Sequence, residues 1–115
     1  MKEVNVMLEP IVGSSNREKI LLYLHARKEG YAREISRFFK TDLAPVQKQL
    51  ERLENGGVLY SRNEGRTRLY GLNPRYPFLS ELRALLDKVL VFFPVEERDK
   101  LTKVRTRPRR KGKPF

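Results

Sequence analysis

The chain has 115 residues, enough to bury one hydrophobic core and too few for two, which excludes large multidomain enzymes. Its 25 Lys and Arg residues against 14 Asp and Glu give a formal net charge of +11, which points to a polyanionic partner. It has no cysteine, which excludes disulfide frameworks, thiolate metal sites and cysteine nucleophiles.

The charge is unevenly spread. Residues 103–115 hold seven basic side chains (Lys103, Arg105, Arg107, Arg109, Arg110, Lys111 and Lys113) and no acid, leaving +4 on residues 1–102. A segment of that composition cannot bury a core and is expected to be a disordered basic tail, attracted to polyanions without reading a sequence. The opening MKEVNVMLEP is broken by Glu3, Glu9 and Pro10 before a signal-peptide core forms, and no apolar run reaches membrane-spanning length. A soluble cytoplasmic protein with no membrane partner is expected.

In chain order, the interrupted apolar stretch Val4 to Val12 reads as a short helix within an N-terminal segment, 1–13, packing on the domain or on a second subunit. Ser15-Asn16-Arg17-Glu18 reads as a capping box, followed by the apolar stripe Ile20, Leu21 and Leu24, with Gly30 ending the helix. A second helix fits Ala32 to Phe39, with Ala32, Ile35 and Phe38 or Phe39 inward and Arg33, Glu34 and Arg37 outward. Lys40-Thr41-Asp42 supplies polar side chains suited to capping the next helix.

That third helix is predicted from Leu43 to Asn55, with Pro45 tolerated in the first turn, where its missing amide has no helical partner. At 100° per residue Val46, Leu50 and Leu53 share a narrow arc, while Ala44, Lys48, Glu51, Arg52 and Asn55 lie opposite. Asn55-Gly56-Gly57 tolerates the left-handed turn that ends it. Val58 to Arg62 and Thr67 to Leu72 then read as strands around the turn Asn63-Glu64-Gly65-Arg66.

After a Pro-punctuated link, a long helix is predicted from Phe78 to Phe93. Leu79, Leu82, Leu86, Val89 and Phe93 repeat at 3-4 spacing, and Phe78, Leu85 and Phe92 lie a heptad apart beside them. Pro94-Val95-Glu96-Glu97 reads as the start of one more short helix.

This order is the plan of a winged helix-turn-helix domain, mainly α with a small β-hairpin wing, in which the second helix of the pair enters the major groove and the hairpin touches the flanking backbone or minor groove. The stretch YAREISRFFKTDLAPVQKQLERLENGGVLYSRNEGRTRLYGLNP resembles the core of ArsR/MarR-type winged-helix bacterial transcriptional regulators. The resemblance lies in a Y-x-R-E-I second helix, a V-x-x-x-L-x-x-L-x-x-x-G-x-L recognition helix and an R-x-x-G-R-x-x-x-Y-x-L wing, and it covers residues 11–93. The following LNPRYPFLSELRALLDK is similar to a subgroup of small ArsR-like regulators, some of whose relatives are linked to nucleotidyltransferases. Two features depart from those patterns. The recognition helix lacks the Cys-x-Cys-type site of thiolate metal sensors, and Gly13-Ser14-Ser15 resembles a nucleotidyltransferase opening without the paired aspartates that hold magnesium.

The resemblance implies a DNA-binding domain over 14–75, a helical dimerisation segment over 76–102 and the tail at 103–115. On the recognition helix, 43–55, Lys48 is suited to a guanine edge or a phosphate, Arg52 to a phosphate, Gln47 to adenine, and Ala44 and Pro45 to apolar contact. Glu51 either accepts from cytosine or orients Lys48. Arg33, Arg37, Lys40 and Thr41 are placed to meet the backbone around the helix pair, and Arg62, Arg66 and Arg68 to do so from the wing, 58–72. Paired recognition helices read successive major grooves, so a homodimer is expected with Phe78, Leu79, Leu82, Leu86, Val89 and Phe93 in its seam.

His25, the one histidine, cannot close a metal site by itself, and the chain has no Gly-rich phosphate loop and no serine with an evident base. No enzyme activity, metal or cofactor is expected. The alternative to a DNA-binding regulator is an interaction module, antitoxin-like, that partners a nucleotidyltransferase through the long apolar helix.

Overall fold

The computed structural model describes residues 7–102. The basic tail expected at 103–115, and residues 1–6 of the N-terminal segment, lie outside the described residues.

Helix α1 (Glu9–Val12) is closed by Gly13 at φ +87 and leads into α2 (Ser15–Arg27). Ser14, not Ser15, caps α2, its Oγ accepting from the Arg17 amide at 3.1 Å. The expected Ser15–Glu18 capping box is thereby corrected. Glu18 is fully buried, and its two carboxylate oxygens accept from the backbone amides of Met7 at 2.7 Å and Leu8 at 2.8 Å. Charge-assisted bonds to two amides clamp the segment ahead of α1 onto α2.

Five consecutive residues of α2, Ile20 to Leu24, are buried. A helix buried around its whole circumference is central, and α2 indeed touches α1, α3, α4, α5, α6 and two strands. It ends at Arg27, with Lys28 at φ +77, so Gly30 does not terminate it. Gly30 lies instead in β1 (Glu29–Tyr31), where a Cβ would stand 2.7 Å from Cε1 of Tyr23. Glycine at that point lets the strand lie directly on α2.

Helices α3 (Ala32–Phe39) and α4 (Leu43–Asn55) have the predicted bounds, joined by a turn in which Lys40 is left-handed at φ +56. Asp42 stands at the N-cap of α4, but its side chain makes no capping bond. Strands β2 (Leu59–Glu64) and β3 (Thr67–Leu72) form a hairpin two residues tighter at its tip than expected, closing through Gly65 and Arg66 after the Glu64–Thr67 pair. Gly65, at φ +64, supplies the positive φ that the first central residue of a type II′ turn requires. The sheet is antiparallel in the order β1-β3-β2.

Helix α5 (Leu79–Val91) is shorter than the predicted 78–93, and α6 (Val95–Thr102) follows it. The row assigned to a dimer seam is largely internal. Leu86, Val89 and Phe93 are buried in the chain's own core, and Leu79 and Leu82 pack half-buried against it. Its 3-4 spacing is the stripe that seats α5 on α2, where Nε2 of His25 also meets Oδ1 of Asp87 at 2.6 Å. Of that row only Phe78 is exposed, together with Leu85, Val91, Phe92 and Val95. Arg27 locks α6 in place, lying over the rings of Tyr23 and Phe38 while donating to the Leu101 and Lys100 carbonyls, each at 2.9 Å. Among the described residues no helix is long and apolar enough to cross a membrane.

Candidate nucleic-acid interface

The outer face of α4 is built by the inner one. Val46, Leu50 and Leu53 are buried, which drives Ala44, Pro45, Gln47, Lys48, Glu51, Arg52 and Asn55 to the surface. Arg17 fixes the helix position, its Nε and Nη2 donating to Oε1 of Gln49 at 3.0 and 2.8 Å and its Nη1 to the Val12 carbonyl at 2.9 Å. The side chains of Lys48, Glu51 and Arg52 form no hydrogen bond or ion pair among the described residues. A pairing of Glu51 with Lys48 or Arg52, the ordinary fate of such a charged face, is therefore not made.

Between α4 and the wing runs an open cleft of about 630 Å³. Gln47 and Glu51 line it from α4, Arg33 and Glu34 from the first turn of α3, and Arg66, Thr67, Arg68 and Tyr70 from the hairpin. Arg68 is aimed there by a relay: its Nη1 donates to Oγ of Ser61 at 2.9 Å, and that hydroxyl donates to Oε2 of Glu54 on α4 at 2.6 Å. Arg66, in the turn, is exposed and makes no such bond among the described residues. Burial and the nearby Glu54 carboxylate push the Tyr70 hydroxyl above its ordinary range, so it stays protonated beside these cations.

The three wing arginines do not act as one group. Arg62 pairs with Leu69, and Arg68 with Asn63, so period-two alternation puts Arg62 and Arg68 on opposite faces of the hairpin. On its face Arg62 is held between two acids, with Nη1 at 2.8 Å from Oε2 of Glu29 and Nε at 2.7 Å from Oε2 of Glu64. Tyr60 donates its hydroxyl to the same Glu29 oxygen. This hydrogen bond, with Arg62 beside it, holds the Glu29 carboxyl below its ordinary range, and the same bond, with burial, lifts the Tyr60 hydroxyl above its own against the opposing pull of Arg62. Arg62 does not line the cleft.

Of the remaining candidates, Arg37 and Lys40 are exposed near the helix-pair turn, whereas Thr41 is half-buried with its hydroxyl 3.5 Å from Oδ1 of Asn16. Sequence reasoning missed Arg17 and the Ser61–Glu54 relay, which orient the interface without facing it. It also missed Tyr31 and Tyr70 as cleft walls. Strand alternation alone, applied from the Gly65 turn outward, separates Arg62 from Arg68. Among the described residues no group of three His, Cys, Asp or Glu side chains is arranged to hold a metal ion.

A helix pair followed by a hairpin packed beside its second helix defines a winged helix-turn-helix domain. The chain is similar to reduced HlyU from Vibrio cholerae, with 20% identity and a TM-score of 0.54 over 71% of this chain and 80% of that one. It is similar also to a ZitR double mutant from Lactococcus lactis in apo form, with 24% identity and a TM-score of 0.53 over 78% and 76% of the two chains. Wild-type ZitR in complex with DNA matches at 19% identity and a TM-score of 0.49, over 89% of this chain and 77% of that one. HlyU and ZitR are winged-helix regulators of the ArsR/MarR class, and at these identities the first two likenesses establish a shared fold. No protein-family model and no curated protein sequence matches the chain.

Proposed function

We propose that the chain is a sequence-specific, double-stranded DNA-binding transcriptional regulator of the small ArsR-like kind without a thiolate metal site. Helix α4 enters the major groove, and the wing reaches the flanking backbone or minor groove. The observation that carries this is the cleft in which α4 faces Arg66 and Arg68, with Lys48 and Arg52 exposed and unpaired on the same helix among the described residues. Uncompensated cations on a helix that fits the groove, next to cations on a hairpin, match the alternation of phosphate and base edge on a duplex. Arg33 adds a phosphate contact from the first turn of α3 and Arg37 and Lys40 add theirs near the helix-pair turn, Ala44 and Pro45 provide apolar contact, and Thr41 contributes only from its half-buried position. The chain acts in the cytoplasm, as a homodimer on an inverted repeat, joined through the outward apolar side chains of α5.

The experiment is binding of labelled duplex, drawn from a random pool by the purified chain, to the double variant Lys48→Ala, Arg66→Ala at stated salt. Both side chains are exposed, so the variant keeps the wild-type circular dichroism and loses binding. Unchanged affinity overturns the proposal. A nucleotidyltransferase-partnering module is less favoured, because it leaves the unpaired cations of the cleft without a role.

A further inference from the structure

An acid stands in the middle of this basic interface. Opposite the buried arc of Val46, Leu50 and Leu53, the most outward side chains of α4 are Asn55 and Lys48, with Glu51 and Arg52 about 50° to either side of that direction at 100° per residue. Glu51 is exposed, lines the cleft with Gln47, and is neutralised by no ion pair among the described residues. A carboxylate brought unpaired against a duplex is repelled by every phosphate, so its place on the central face calls for a donor on the DNA.

The major groove offers few. Guanine shows N7 and O6, and thymine O4, all acceptors; donors are the N4 amino group of cytosine and the N6 amino group of adenine. Adenine N6 is flanked by the N7 acceptor of the same base, whereas cytosine N4 has a carbon-bound hydrogen beside it. A carboxylate, which only accepts, therefore selects cytosine.

Resting on the DNA-binding function proposed above, we infer that Glu51 is a specificity-determining residue, accepting from a cytosine amino group in each half-site and rejecting other bases there. Its effect is selective. It discriminates among bases at one position and lowers affinity for duplex in general.

The test selects duplexes from a random pool with the full chain as wild type, Glu51→Gln and Glu51→Ala, at several salt concentrations. Glutamine and alanine both suit an exposed helix position, so all three fold alike by circular dichroism. The wild type is expected to prefer cytosine roughly tenfold at one position of each half-site. Alanine loses that preference and no other, glutamine, which donates as well as accepts, loses it or moves it to adenine, and both bind unselected duplex several-fold tighter at low salt, a gain that shrinks as salt screens the repulsion removed. A wild-type motif retained unchanged by both variants overturns the inference. So does an equal loss of affinity for all sequences, which marks Glu51 as a support of the helix. A wild-type chain that selects no duplex sequence overturns the DNA-binding proposal itself, and this inference with it.

Discussion

The hydroxyl of Tyr60 on β2 reaches Oε2 of Glu29 on β1 by crossing over Gly71 of β3, the residue that pairs with both in register. The two outer strands of the sheet are thus joined by a side-chain bond over the middle one, and Arg62 closes the same cluster from β2. The wing is held to the body of the domain at its base, while Arg66 in its turn stays unbonded among the described residues.

The crossing depends on Gly71 having no side chain. A Cβ there would lie 2.6 Å from the Tyr60 hydroxyl oxygen and 2.7 Å from ring carbons. Gly71→Ala is expected to displace Tyr60, break its bond to Glu29 and destabilise the fold by about 1–3 kcal/mol. Chemical denaturation measures this, and the double variant Gly71→Ala, Tyr60→Ala, in which the clash is gone, recovers part of the loss.

The same cluster sets a pH dependence. The Tyr60 hydroxyl is raised above its ordinary value by its bond to Glu29, so the stability it contributes is complete below about pH 10 and is lost as pH climbs through the folded value. Glu29 is lowered by its bonds to Tyr60 and Arg62, so its contribution is complete above about pH 4.3 and is lost as pH falls through its folded value. Thermal melts across both limbs are expected to flatten on the alkaline side in Tyr60→Phe and on the acid side in Glu29→Gln. Tyr70, raised mainly by burial, keeps a residual alkaline loss in the Tyr60 variant.

Arg62 and Arg66 are expected to separate in their effects. Arg66→Ala should weaken duplex binding several-fold and lower the salt slope by about 1, as the loss of one phosphate contact does. Arg62→Ala removes a cation already held by Glu29 and Glu64 on the face of the hairpin away from Arg68. It should leave the salt slope near wild type and lower the melting temperature instead. A salt slope lowered equally in the two variants would place both arginines on the DNA, and a wild-type slope in both would place neither there.

Much of this architecture is legible in the residues because local signals agree. The Val46, Leu50 and Leu53 arc fixes both the bounds and the outer face of α4, and the Gly65 turn fixes the wing. What is not legible is set by distant partners. A three-residue strand such as β1 carries too little periodicity to stand out, and Gly30 takes its meaning from Tyr23, not from the helix end. Glu18 has the spacing of a capping box, yet its carboxylate serves the amides of Met7 and Leu8. Among the wing arginines, composition suggests a cluster; register divides it.

The two apolar rows of α5 test the proposed dimer. Leu86 is fully buried against the core, so Leu86→Ala is expected to cost about 2–5 kcal/mol by loss of packing within one chain. Phe78 and Phe92 are 61% and 63% exposed and Leu85 lies between them one heptad from each, so this outward row is where a second copy would seat. The triple variant Phe78→Ser, Leu85→Ser, Phe92→Ser is expected to keep the core and to halve the mass measured by light scattering. Its affinity for an isolated half-site should be unchanged, while its affinity for the full inverted repeat falls, because the linked second binding event is lost. A variant that remains dimeric moves the seam elsewhere on the surface.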